Sequence, residues 1–288
     1  MVEVTRIGEF TLVWGESLRW DDRRRRLYFV DCATQDLHWL EGGLPPVHSL
    51  RLPSMPTGVV LTDDDRVVMA LDGGLHIVDA DTGDVQLLAP YPDGLGGRAN
   101  DAAADLDGNL VTGTLNLVEA PGSYWWFSAR DGWRQLDEGI SNANGPVVLE
   151  VDGRSLLVFA DTPAARLYAY RYDGQSGTAT ERRLFADTSQ RHGHPDGACA
   201  DDDGGVWSCI LGAGEIVRYT TAGLTDAIET GVELPSDVTF GGEELDRMFF
   251  VSIAVSLGDV EIKSPNAGAL MVVDGSGYRG RREPRMRL

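Results

Sequence analysis

Positive charge is scarce in this chain. Its 288 residues hold 25 Lys and Arg against 45 Asp and Glu, a formal net charge of −20. Nucleic acid and anionic membrane both demand clustered cations, so neither is an expected partner. The one basic cluster, the C-terminal "YRGRREPRMRL", reads as a solvated tail. Cysteine is nearly absent too. Cys32, Cys199 and Cys209 are odd in number and lack C-x-x-C spacing, which argues against a disulfide scaffold or a structural zinc site. Their apolar surroundings suggest buried, inert thiols. No apolar run reaches the length of a membrane span. The opening "MVEVTRIGEF" lacks the basic start and apolar centre of a signal peptide, so the expected location is cytoplasmic. Long helical patterns are missing, as are a G-x-S-x-G elbow and a Gly-rich loop between strand and helix. Serine hydrolase and nucleotide-binding readings lose their support with them.

Glycine and short β-rich runs are what the chain does have. One run appears six times: "RRLYFVD" (25–31), "DRVVMAL" (65–71), "GNLVTGT" (108–114), "RSLLVFADT" (154–162), "GGVWSCI" (204–210) and "DRMFFVS" (246–252). Each follows a turn rich in Asp, Gly or charge, and their starts lie about 40 to 50 residues apart, the period of a propeller blade. A partner strand follows each run, a short strand precedes it, and looser fourth strands such as "VHSLRLP" and "ERRLFAD" complete most copies. Four antiparallel strands repeated six times predict an all-β fold, a six-bladed β-propeller spanning residues 1–288 as a single domain. The N-terminal "TRIGEFTLV" is expected to pair into the last blade and close the ring.

The first strand of a blade lines the central channel, and its first residues reach one rim. Those strands open with Glu16, Gly58, Asn100, Asn144, Asp196 and Ser236 or Asp237, all at about the same offset from the second strand. Residues in one phase of a radial repeat converge on the axis, so two carboxylates and two amides face one small space. Such residues can simply cap strands or fill a wet channel. Yet Glu16 sits in the apolar "LVWGESLRW", and convergent carboxylates repel unless a cation neutralises them. Oxygen donors alone suit a hard divalent ion such as Ca²⁺, Mg²⁺ or Mn²⁺.

The stretches "GESLRWD…LYFVD", "GRANDAAADLDGNLVTGTL", "NGPVVLEVDGRSLLVFADTPAARLYAYRYD", "HPDGACADDDGGVWSCILGAGEIVRYTTAG" and "LPSDVTFGGEELDRMFFVS" carry a resemblance. In that order they resemble the SMP-30/gluconolactonase family, which includes regucalcin and bacterial sugar lactonases and has a six-bladed propeller fold. The resemblance implies that Glu16, Asn144 and Asp196 bind a divalent metal. It also implies that Asp196 serves as the acid/base and that Arg98 and Asn100 contact substrate. Three departures stand out. Leu18 takes the place of Pro in the family's Gly-Glu-x-Pro-x-Trp. "ISNANGP" offers Asn142 beside Asn144, and the segment "NLVEAPGSYWW" is shorter than the lid-like insert of many members.

Weaker signals read as structure. "DADTGD" (79–84) has neither the Gly nor the Glu of an EF-hand loop and is expected to be a strand turn. His192 and His194, just before "PDG", are assigned to a rim loop that shapes the pocket. The implied activity is hydrolysis of a sugar lactone or similar small cyclic ester, with one divalent ion (Ca, Mg, Mn or Zn). The implied partner is a small-molecule lactone, and the chain a monomer or homodimer. Two other functions fit the same residues: an organophosphate or aryl-ester hydrolase, and a non-catalytic propeller that binds Ca²⁺ or a small ligand. An intact Glu16/Asn144/Asp196 set favours an enzyme.

Overall fold

Runs of β-branched, aromatic and leucine side chains, each punctuated by Asp/Gly turns, give strands rather than helices. The computed structural model describes residues 1–95, 98–115 and 122–288. The short segment "NLVEAP" therefore lies outside the described residues. Strand β1 is Glu3–Arg6. The first blade holds β2 (Gly15–Asp21), β3 (Arg26–Asp31), β4 (Asp36–Glu41) and β5 (Val47–Arg51). The second holds β6 (Gly58–Leu61), β7 (Val67–Leu71), β8 (Gly74–Asp79) and β9 (Asp84–Pro90). The third holds β10 (Arg98–Ala104), β11 (Leu110–Leu115), β12 (Gly122–Ser128) and β13 (Gly132–Ile140). The fourth holds β14 (Ala143–Val151), β15 (Arg154–Asp161), β16 (Arg166–Asp173) and β17 (Thr178–Asp187). The fifth holds β18 (His194–Ala200), β19 (Val206–Leu211), β20 (Glu215–Thr220) and β21 (Gly223–Glu229). The sixth holds β22 (Pro235–Gly241), β23 (Arg247–Ser252) and β24 (Met271–Asp274), with β1 as its outer strand.

Each sheet is antiparallel, and the inner strands touch in the order β2, β6, β10, β14, β18, β22 and back to β2. This is the six-bladed propeller that the repeats predict. The register Glu3↔Asp274 to Arg6↔Met271 closes the ring on the last blade as expected, but the strand begins before "TRIGEFTLV" and shares only Thr5 and Arg6 with it. The core lies between neighbouring blades. Leu149 and Val158 of the fourth blade pack on Val206 and Ile210 of the fifth, and Leu18 and Phe29 of the first pack on Phe249 and Val251 of the sixth. Both faces of the inner and middle strands are covered, so β7 and β23 read as nearly continuous apolar runs. Each such Val, Leu, Ile or Phe contributes about 1.5–3 kcal/mol on burial. The three cysteines are free and buried in this packing, as expected. "DADTGD" is indeed a strand turn, its Asp79 carboxylate accepting the Asp81 and Thr82 N–H groups at 2.9 and 3.1 Å. Among the described residues no helix is long and apolar enough to cross a membrane.

The basic tail departs from expectation. It is a strap across the end of the channel opposite the rim described below. The Gly280 N–H donates to Leu245 O at 2.7 Å in the sixth blade. The Met286 N–H donates to Leu61 O at 2.8 Å in the second, and the Arg287 N–H to Gly108 O at 2.8 Å in the third. Arg285 donates to Asp21 and, at 2.9 Å, to Asp22 in the first. Composition hid this because the partners of these cations are distant in sequence. Met286 is fully buried against Val60, Val68 and Leu110. Met286→Ala should therefore cost about 2–4 kcal/mol in denaturant unfolding. A loss below about 0.5 kcal/mol, the range of surface changes, would show that the strap only rests on the ring.

Candidate active site

Five of the six inner strands carry a β-bulge near the rim. Pairing is interrupted between Glu16 and Arg19, Ala99 and Ala102, Asn144 and Val147, Pro195 and Ala198, and Pro235 and Asp237. A bulge re-aims the side chains beside it. Glu16 and Asn144 stand three residues before pairing resumes, Asn100 and Asp196 two. The shared phase read from the sequence thus holds to within one residue. The exception is β6, where no bulge forms. A Cβ at Gly58 would stand 2.8 Å from the Ala102 methyl, so this blade presents no polar side chain there.

The glycines that follow Asn144 and Asp196 have a steric reason. Gly145 has φ +52° and a Cβ there would meet Asp196 O at 2.6 Å; one at Gly197 would meet Asp237 Oδ1 at 2.2 Å. Only glycine lets neighbouring inner strands come this close. The dipeptides Asn-Gly and Asp-Gly are therefore the sequence signature of the bulge at the rim.

Glu16, Arg98, Asn100, Asn142, Asn144 and Asp196 all line one cavity of about 470 Å³ at the mouth of the channel. Asn100 Nδ2 donates to Asn142 Oδ1 at 3.1 Å, to Ala143 O at 3.1 Å, and to Asn144 Oδ1. Asn144 Nδ2 donates to the Thr162 hydroxyl at 2.8 Å, which donates in turn to Pro195 O at 2.8 Å. This chain fixes both amides with their nitrogens spent on protein and the Asn144 oxygen turned toward its neighbours. Both asparagines of "ISNANGP" thus reach the cavity, but only Asn144 is locked in place from both sides. Thr162 was not singled out from the sequence, although it ends the repeat "RSLLVFADT" at a strand terminus.

Glu16 has one hydrogen-bond donor among the described residues, Trp14 Nε1 at 3.0 Å. Burial raises its carboxyl well above the ordinary range, and the charges of Asp196, Asp237 and Asp101 add to the shift. Burial likewise raises Asp196, with Asp237 and Asp101 again contributing. No cation among the described residues bonds to either group. His192 and His194 do not line the cavity. His194 Nδ1 lies 2.9 Å from Thr162 O, so it braces the rim from behind.

Below the rim lies a charge cluster that the sequence did not reveal. Arg19 reaches Asp101 at 3.2 Å and Asp237 at 3.5 Å, all three side chains being less than 10% exposed. Asp101 Oδ2 accepts the Gly145 N–H at 3.1 Å and so supports the bulge after Asn144. Asp237 accepts the Leu18 N–H at 2.6 Å. Proline at position 18 could not make that bond, which gives the departure Leu18 a structural role. Burial pushes Asp237 up to about 8, Asp101 adding to the shift and Arg19 opposing it.

Among the described residues no group of three or more His, Cys, Asp and Glu is arranged to hold a metal ion. The rim instead pairs two unneutralised carboxylates with amide oxygens, a donor set that fits a hard divalent cation. The comparisons with known proteins agree on the family. A model described as the SMP-30/Gluconolactonase/LRE-like region matches residues 14–254. The pentonolactonase XacC of Haloferax volcanii is 28% identical over 283 residues, covering 94% of each chain. The 6-deoxy-6-sulfogluconolactonase of Pseudomonas putida is 30% identical over 253 residues, covering 83% of each. Among solved structures, a regucalcin from Agrobacterium tumefaciens, titled a calcium-binding protein, superposes with a TM-score of 0.87 at 25% identity, over 98% of this chain and 97% of that one.

Proposed function

The chain belongs to the SMP-30/gluconolactonase/LRE-like family, and on that premise we propose that it hydrolyses a sugar lactone or similar small cyclic ester, using a divalent cation held by Glu16, Asn144 and Asp196. The observation that carries this is the pair of carboxylates, Glu16 and Asp196, facing one cavity without a cationic partner among the described residues. Sugar lactonases among the relatives support the substrate class. A bound cation would supply Lewis-acid polarisation of the lactone carbonyl. Asp196 accepts a proton from the attacking water and returns it to the leaving ring hydroxyl. Arg98 and Asn100 orient the substrate's oxygens, and one buried guanidinium nitrogen of Arg98 has no hydrogen-bond partner among the described residues.

The test reads metal and chemistry together. Acid release from aldono-lactones should need Ca²⁺, Mg²⁺, Mn²⁺ or Zn²⁺ and stop with chelator. The ion should also stabilise the fold by about 2.7 kcal/mol at a hundredfold excess over Kd. Glu16→Gln keeps the shape and removes one charge. Its chelated form should unfold at a temperature no lower than chelated wild type, yet gain little from any ion. An equal gain in both proteins would remove Glu16 from the ligand set.

A further inference from the structure

The cavity has two unlike sides. Its carboxylates, amides and guanidinium come from Glu16 of the first blade and from the third, fourth and fifth blades, with Leu115 among them, and the second blade adds the Thr57 hydroxyl. The other side is an arc of four consecutive blades: Leu211 at the end of β19, Ile253 just past β23, Trp14 just before β2, and Met55 before β6. Leu257, 37% exposed, extends the arc to the mouth. Trp14 and Ile253 pair as a β-bridge, so their side chains stand together. Leu211 and Ile253 form one buried cluster with Leu234, backed by Val260 and Ile262. The wall is therefore packed from behind and does not consist of loose surface residues.

The indole and hydroxyl donors of this arc are already engaged. Trp14 Nε1 donates to Glu16, and the Thr57 hydroxyl donates to Ala99 O at 3.0 Å. A hydroxyl directed at the wall would lose water and gain no bond in return. A methyl group there would gain contact with leucine, isoleucine and indole carbon.

Resting on the lactonase reading, we propose that the preferred substrate is a lactone whose exocyclic arm is apolar. A methyl or short alkyl group takes the place of the usual hydroxymethyl and lies against Trp14, Leu211, Ile253 and Leu257. The ring hydroxyls and carbonyl face Arg98, Asn100 and the carboxylates. The wall is thus a specificity element, and its expected size is that of a hydrophobic pocket meeting an extra hydroxyl, about 10- to 100-fold in kcat/KM.

Matched lactones that differ only in CH₃ against CH₂OH test this: L-fuconolactone against L-galactonolactone, and L-rhamnonolactone against L-mannonolactone, each with the metal-loaded protein. The 6-deoxy member of at least one pair should be hydrolysed with about 10- to 100-fold higher kcat/KM. Leu257→Ser at the mouth and Ile253→Thr in the wall, which trades an ethyl branch for a hydroxyl, should each draw that ratio toward one. Hydrolysis of both members of both pairs at equal efficiency, or a preference for the hydroxymethyl members, would overturn the apolar-arm proposal and leave the lactonase reading intact. Hydrolysis of none of the four beside a turned-over unrelated aldono-lactone would overturn the apolar-arm proposal alone, and hydrolysis of no aldono-lactone at all would overturn both.

Discussion

Asp196→Asn should fold as wild type does and lose at least about 10²–10⁴-fold in lactone hydrolysis, the range for removing a general base. The side chain lies on a bulge at the channel rim and packs into no hydrophobic cluster, so its loss removes chemistry and leaves the core intact. Its effect on stability should have the opposite sign. Burial and neighbouring carboxylates raise Asp196 in the folded state above the roughly 3.9 of an unfolded chain. The folded protein then binds more protons than the unfolded one as pH rises past about 4, and stability falls toward neutrality. In chelator, the wild type should accordingly lose stability between pH 5 and 8, and Asp196→Asn should lose less. Stopped-assay rates and denaturant curves at the two pH values measure both effects. A folded Asp196→Asn protein with full activity would remove Asp196 from the mechanism.

The second large effect is on the fold itself. Among the described residues Arg19 is the one cation in contact with Asp101 and Asp237, and it also donates to Leu18 O at 2.5 Å and Ala102 O at 2.7 Å. Burial works against its charge, but Asp101, Asp237 and Glu283 more than offset that and raise it above its ordinary value. Burial first, and Asp101 beside it, keep Asp237 up at about 8 against the single opposing charge of Arg19, which itself stays charged. Arg19→Met should leave two buried carboxyls without a counter-charge and cost about 3–5 kcal/mol at pH 8. At pH 5 the acids can protonate, so the cost should shrink. Adding Asp237→Asn to Arg19→Met should recover part of the loss, which a double-mutant cycle would read as coupling. A loss below about 1 kcal/mol at pH 8, with no pH dependence, would show that the cluster is held by its backbone partners alone.

The rim was legible in the sequence and the cluster beneath it was not, for one physical reason. Two of the rim residues, Asn144 and Asp196, travel with a local consequence of their bulges, and Glu16 and Asn100 share their phase in the repeat. The glycine after Asn144 or Asp196 is required by a neighbouring strand, so the pattern is written within a few adjacent positions. Arg19, in contrast, meets partners 82 and 218 residues away, and no short-range pattern marks either Asp as its counterpart. The blades were legible because their periods repeat. The strap was not, because Arg285 and Met286 occur once, and a run of arginines looks the same whether water or Asp21 receives it.

The ring is sewn shut by β1 on β24, and this sets an order of events during synthesis. The partner of β1 leaves the ribosome about 270 residues later, on the order of 15–50 s at ~5–20 residues per second. Throughout that interval the first strand has nowhere to dock, and long-range pairing of this kind is slow to form in any case. The strand left waiting, Glu3–Arg6, has four residues, two of them charged and two exposed even in the finished ring, and Ile7 and Leu12 wait behind it for Leu270 and Gly268. A short, charged strand is a poor template for a second chain. The closure of the propeller thus falls to the piece of chain that is safest to leave bare while the other blades assemble.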